Sequence, residues 1–166
     1  MQTPSARACE QWTQMHPELD TSSMQVVGPL KRAQALLNLA IEPLFDGAQV
    51  TSPELDVMLK LRTTGQSTIA RQLAKQLGRS PAALSKTLAK LERRGYIVRQ
   101  ANPADRRAAL VRLTKEGEKV VDTLFPEQLA IEARLLRGMS EEQRSQIVGA
   151  LNRLVSLLEV QVGADR

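Results

Sequence analysis

The sequence predicts a mainly α-helical chain with one small β element, and three observations lead there. Aromatic residues make up only 2% of the 166 residues against a 42% apolar share rich in Leu and Ala, a composition that suits packed helices better than a β-sandwich. Apolar residues recur at helical spacing along most of the chain. Between Gly95 and Thr114, short β-branched runs appear instead, around a loop containing Pro103 and Asp105. The length is that of about one domain, enough for a core that needs neither disulfides nor metal as staples.

Residues 1–23 are polar and read as an N-terminal extension, with a turn or two of helix around Trp12 and Met15. Over residues 24–46, Val26, Val27, Leu30, Ala33, Leu37, Ile41 and Leu44 mark a first long helix, which Gly28-Pro29 and Pro43 start, kink or end. Thr51-Ser52-Pro53-Glu54 puts a hydroxyl cap before a proline; this opens a second helix bearing Leu55, Met58, Leu59 and Leu61 and ending near Gly65. Ile69, Leu73 and Leu77 predict a short helix stopped by Gly78, and Ser80-Pro81 opens another with the stripe Leu84, Leu88 and Leu91. Ala74, Gly78 and Leu84 stand at the offsets a helix-turn-helix needs. They supply a small residue at the crossing, a glycine free to take positive φ in the turn, and an apolar lock on the second helix.

An ordinary helical hairpin would satisfy the same triple, but the segment beyond Arg94 argues against it. Gly95 ends the helix, and Tyr96–Gln100 and Leu110–Leu113 read as paired strands around a loop at 102–107. A helix-turn-helix succeeded by a two-stranded ribbon is a winged helix. Thr114 caps the next helix, with Glu116 and Glu118 at its positive end and a kink expected at Pro126. Gly138 stops it. Ser140 with Gln143 caps the last helix, whose Ile147, Leu151, Leu154, Val155, Leu157 and Leu158 form a broad apolar stripe. The fold class is therefore mainly α with a small β wing: a winged helix-turn-helix DNA-binding domain at 47–114, flanked by long dimerisation helices at 24–46 and 115–162. The flanks carry more apolar surface than a monomeric winged helix would cover; the alternative is a last helix folded back on its own chain.

Charge is unevenly placed. From Arg62 to Lys119 there are 14 Lys and Arg against 4 Asp and Glu, a net of +10 inside a chain of net +5, so the flanks are acidic. Such a block points to a polyanion, most often nucleic acid, although any single Lys or Arg in it is as readily a solvated surface charge. A helical protein–protein interaction or scaffold module with a basic surface is the alternative function. One cysteine, Cys9, and one histidine, His16, exclude a disulfide framework or a Cys/His zinc site within one chain, so neither metal nor cofactor is expected. No nucleophile, base and orienting acid stand together and no phosphate-binding glycine loop is present, so no enzyme is expected. The chain also lacks a basic-apolar leader and an apolar run near 18 residues, which leads to the expectation of a cytoplasmic protein with no membrane partner.

The stretch Ser80 to Gly117, SPAALSKTLAKLERRGYIVRQANPADRRAALVRLTKEG, sets out a recognition helix, a Leu-Glu-x-x-Gly end, a wing with Asp-Arg-Arg and a Leu-Thr-x-x-Gly segment in that order. It resembles the MarR (multiple antibiotic resistance regulator) family of winged-helix transcription factors, and the likeness extends in pattern across residues 24–160. The resemblance implies a homodimeric regulator of transcription, most often a repressor, bound to a pseudo-palindromic duplex operator and released by a small-molecule effector. The physical reading agrees with it. Ser80 offers a hydroxyl and helix amides to a phosphate. Ala82, Ala83, Ser85 and Lys86 lie opposite the apolar stripe, where base edges would be met, while Lys90 and Arg93 are better placed for backbone phosphate. Asp105 is expected to brace a neighbouring arginine while Arg106 and Arg107 reach the minor groove; the family's minor-groove role falls on Arg107.

The N-terminal part resembles the urate-responsive, PecS-like subgroup of that family at Trp12, at HPELDTSSMQVVGPL (16–30) and at PELDVMLKLR (53–62). It departs from that subgroup in Pro29, which stands where an arginine is common, and in a shorter loop at 63–68. Arg62 aligns with a ligand-binding arginine only with an offset of one. The resemblance makes Trp12, Asp56 and Arg62 candidate effector residues for a small planar acid such as urate or a phenolic acid. Other roles stay open: Trp12 as a packing anchor, Asp56 in an ion pair, Arg62 on a phosphate.

Overall fold

A computed structural model describes residues 4–65, 67–103 and 105–164, without the side chains of Ser5, Arg106, Arg107 and Ala164. The chain forms two compact units, Met1–Ile131 and Glu132–Arg166. Helices α1 (Pro4–Met15) and α2 (Met24–Ile41) lead through a 3₁₀ turn at Glu42–Phe45 into α3 (Ser52–Thr64), strand β1 (Thr68–Ile69), α4 (Ala70–Gln76) and α5 (Pro81–Arg93). Strands β2 (Ile97–Asn102) and β3 (Asp105–Leu113) come next, then α6 (Lys115–Leu135) and α7 (Glu141–Ala164). The antiparallel sheet has the order β1-β3-β2.

Helix α1 is longer than the turn or two expected, and its tether explains why. Cys9 is buried, its thiol donating to the Thr21 carbonyl at 3.5 Å, while the Thr13 and Thr21 hydroxyls lie 2.7 Å apart. Neither internal proline breaks its helix. Helix α2 runs through Pro29, and α6 through Pro126 where a kink was expected; Pro43 lies in the 3₁₀ turn. Two differences concern the sheet. Ile69 belongs to β1, paired with Leu110, and β3 begins at Asp105, taking up residues 105–107 of the expected loop and 108–109 beyond it, with a register irregularity between Ala101 and Asn102.

One core joins α3, α4, α5, the sheet and the first part of α6. Leu55, Val57, Met58 and Leu61 of α3 meet Leu73 and Ala74 of α4, Leu84, Leu88 and Leu91 of α5, Ile97, Val111 and Leu113 of the sheet, and Val121 of α6. Ala74 at the crossing, Gly78 at φ +61° and Leu84 in the core hold the helix-turn-helix positions. The amides of Gly78 and Arg79 close onto the carbonyls of Lys75 and Ala74, and those of Gly95 and Tyr96 onto Glu92 and Leu91. Both helices thus end in the pair of backbone hydrogen bonds that a left-handed residue permits.

The start of α6 is clamped to the ribbon. Thr114 accepts from the Gly117 amide at 3.1 Å and donates to the Gly95 carbonyl at 2.7 Å, while its own amide reaches Tyr96 O at 3.0 Å. Gly117 comes so close that a Cβ there would lie 2.1 Å from Tyr96 O. In the second unit, Ser140 and Gln143 form the expected reciprocal cap of α7. No described residue of α7 is buried, and Ile147, Val148, Leu151, Val155, Leu157, Leu158, Val160 and Val162 are all exposed. In the first unit α2 likewise exposes Val26, Val27, Leu30, Leu36 and Leu39.

Candidate nucleic-acid interface

Helix α5 is built to present one face. The Ser80 hydroxyl oxygen accepts from the Ala83 amide at 3.2 Å, Pro81 fills the first turn, and Leu84, Leu88 and Leu91 sink into the core. What remains outward is Ala82, Ala83, Ser85, Lys86, Lys90 and Arg93, all exposed. Ala82, Ala83 and Ser85 keep the start of that face small, and Lys86 is the first long donor along it.

The structure sorts the basic block by partner. Arg62, Arg79, Arg94 and Arg99 each pair with a carboxylate. Among the described residues Lys86, Lys90 and Arg93 on α5, Arg71 and Lys75 on α4 and Arg112 on β3 have exposed side chains and no ion pair. Nothing in the sequence singles out Arg71, Lys75 and Arg112. Their signal is the charge itself, and only the fold tells a paired arginine from an unpaired one. The wing root is braced by Arg99, whose guanidinium donates to Glu92 at 2.7 Å, tying β2 to α5. Asp105 opens β3 opposite Asn102. The side chains of Arg106 and Arg107, and with them the expected brace from Asp105, lie outside the described residues.

The exit of α5 is held by Arg94. Its guanidinium reaches Glu54 Oε1 at 2.6 Å, Gln49 O at 2.7 Å and Lys90 O at 3.2 Å, and lies 5.6 Å from the Tyr96 ring centre. The Glu54 side chain is only 7% exposed, and its other oxygen accepts from the Thr51 amide at 2.9 Å. Burial pushes its carboxyl up, but Arg94 and the Thr51 donor outweigh that and hold it below its ordinary value.

The three candidate effector residues have separate partners. Trp12 stacks on His16 with ring centres 5.2 Å apart. Asp56 pairs with Arg79 at 3.3 Å, and burial raises its carboxyl above the ordinary value despite that cation. Arg62 forks onto Asp122 of α6 at 3.0 and 3.1 Å and lies 3.4 Å from Glu118. A cleft of about 750 Å³ between α1 and α2, lined by Cys9, Thr13 and Thr21, and one of about 620 Å³ against Gln49, Tyr96 and Lys119 include none of the three.

Residues 50–109, the segment carrying α3, the helix-turn-helix and most of the ribbon, match the MarR family model. The chain is 28% identical over 147 residues to the helix-turn-helix-type transcriptional regulator PecS of Dickeya dadantii, covering 87% of this chain and 89% of that protein. Among solved structures it is similar to Bordetella bronchiseptica BpsR, at 24% identity and a TM-score of 0.71, covering 78% of this chain and 92% of that one. It is likewise similar to Staphylococcus aureus MepR, solved as a DNA complex, at 22% identity and a TM-score of 0.71, covering 79% and 96%. Residues 50–109 thus carry the match to the MarR family, on a winged helix whose outward α5 face is open and basic, and most of the chain is similar to the transcriptional regulator PecS.

Proposed function

We propose that the protein is a cytoplasmic homodimeric repressor whose two α5 helices read successive major grooves of a pseudo-palindromic operator, and which a small planar anionic or phenolic ligand of the urate class releases. The observation that carries the reading is the outer face of α5, small at its start and continued by unpaired cations at Lys86, Lys90 and Arg93. Ser80, Lys90 and Arg93 take phosphate, Ala82, Ala83, Ser85 and Lys86 face bases, and Asp105, Arg106 and Arg107 serve the wing. Dimerisation falls to residues 24–46 and 115–162, supported by the exposed apolar rows of α2 and α7, since a two-fold protein matches a two-fold site. Solved MepR is a DNA complex, and BpsR has its DNA binding regulated by 6-hydroxynicotinic acid. Trp12, Asp56 and Arg62 are the effector candidates; an acid binding Arg62 would compete with Asp122 and Glu118.

The experiment is selection of duplexes from a random pool by the full chain, then titration of urate and salicylate. A two-fold motif with half-sites about one helical turn apart, bound as a dimer and released as Trp12 fluorescence falls, is the expected result. Sedimentation showing only an 18.3 kDa species, or selected duplexes without a motif, would refute the dimeric operator reading. Release by another compound with Trp12 silent would refute only the urate-like assignment.

A further inference from the structure

We infer that Arg94 is a positioning residue for DNA recognition: by tying the exit of α5 to the buried Glu54 at the start of α3, it sets the angle at which α5 meets the groove. This rests on α5 being the recognition helix. Arg94 is the C-terminal cap of α5, and its guanidinium is spent on the protein: on Glu54, on the Gln49 carbonyl ahead of α3 and on the Lys90 carbonyl of its own helix. Those acceptors lie on both elements whose relative angle must be held, α3 and α5. Glu54 is itself fixed from the other side by the Thr51 amide, so the pair is anchored at both ends. Lys90 and Arg93, one turn and one residue back, are exposed as Arg94 is, but their side chains carry no ion pair.

Leverage makes the angle matter. Ala82 lies 12 residues from Arg94, about 18 Å along a helix, so a tilt of about 5° at the exit moves the reading end by about 1.6 Å. Direct hydrogen bonds to bases do not survive an error of that size. A phosphate contact would behave differently, being indifferent to sequence and sensitive to salt.

The test uses the full chain, a duplex selected by the native protein and a shuffled duplex, with Arg94→Lys, Arg94→Gln, Glu54→Gln and the double variant Arg94→Gln/Glu54→Gln. Binding is read where circular dichroism shows native helix content. Lysine keeps the charge but gathers its donors on a single nitrogen, without the rigid planar fork that lets arginine span acceptors on α3 and α5 at once. Positioning predicts that Arg94→Lys and Arg94→Gln each weaken the selected duplex about ten-fold, or about 1.4 kcal/mol. The shuffled duplex and the salt slope should stay unchanged. Glu54→Gln removes a negative charge, so electrostatics alone predicts tighter binding to DNA; positioning predicts weaker binding to the selected duplex only. The double variant should lose no more than either single one, since one linkage is broken once. Equal losses on both duplexes with a slope lower by about one unit, full retention in Arg94→Lys, tighter binding by Glu54→Gln, or additive losses in the double variant would each overturn the inference. Lys86→Ala tests the underlying reading separately. If it leaves the preference for the selected duplex intact, α5 is not the reader, and that reading falls whatever Arg94 does.

Discussion

Replacing Gly117 by alanine adds no more than a methyl group, yet it should cost about 1–3 kcal/mol. The new Cβ would lie 2.1 Å from Tyr96 O, 3.0 Å from Tyr96 C and 3.1 Å from a Leu113 methyl. A carbon tolerates a carbonyl oxygen no closer than about 3.3 Å, so backbone must retreat by about 1.2 Å. Overpacking of that kind costs about 1–3 kcal/mol. The retreat also stretches the bond from the Thr114 amide to Tyr96 O, now 3.0 Å, worth about 1 kcal/mol. Against this, alanine recovers at most about 1 kcal/mol of helix propensity, leaving a net loss of about 1–3 kcal/mol. At about 2–4 °C per kcal/mol for a chain of this size, the midpoint should fall by about 2–12 °C. Thermal unfolding monitored by circular dichroism at fixed protein concentration measures it. The same substitution at Gly149 of α7, where the nearest neighbour is the Arg153 guanidinium at 3.6 Å, should instead raise the midpoint, since only propensity changes. A Gly117→Ala midpoint within about 2 °C of the native one would refute the clamp.

The interface carries further expectations. Arg107→Ala should weaken operator binding by about 1–3 kcal/mol and leave sedimentation unchanged; equal affinity would remove the wing from the contact. Lys90→Ala should weaken selected and shuffled duplexes alike and make the salt slope shallower by about one unit, whereas a loss confined to the selected duplex would make it a base reader. Glu54, with its carboxyl held below 4.5, contributes stability that is present above the ordinary value and lost as pH falls through the lowered one. Glu54→Gln should therefore flatten the acid side of a midpoint-against-pH curve. Asp56 has the opposite sign. Its raised carboxyl means that the fold disfavours the ionised form at neutral pH and gains stability as pH falls through the raised value, so Asp56→Asn should raise the midpoint most near neutrality.

Local chemistry explains which parts of this molecule are legible before folding. Gly78 and Gly95 announce their turns because a left-handed residue is needed there, and Thr51 with Glu54, or Ser140 with Gln143, announce caps because both partners lie within four residues. Features fixed across long separations are not readable in this way. The two residues of β1 become a strand only because Val111 and Leu110 lie beside them. Glu54 accepts from the Thr51 amide three residues back, but its second partner, Arg94, stands 40 positions later and on another element. For the same reason the basic block looks uniform in sequence while Arg62, Arg79, Arg94 and Arg99 are spent on carboxylates. The outward face of α5 is readable because helical spacing alone decides it once Leu84, Leu88 and Leu91 point inward.

Helix α7 exposes every described apolar side chain larger than alanine except Leu154, which is half-buried. Helices in proteins owe most of their stability to a packed face rather than to propensity, so a second copy of the chain would have to supply that face in the proposed dimer. Folding of this segment then becomes a matter of dilution. Far below the dissociation constant, halving the protomer concentration lowers the dimer about fourfold, and with it the number of molecules carrying two recognition helices. A regulator built this way has a threshold in its own dosage: small changes in its synthesis would be read at the operator as their square.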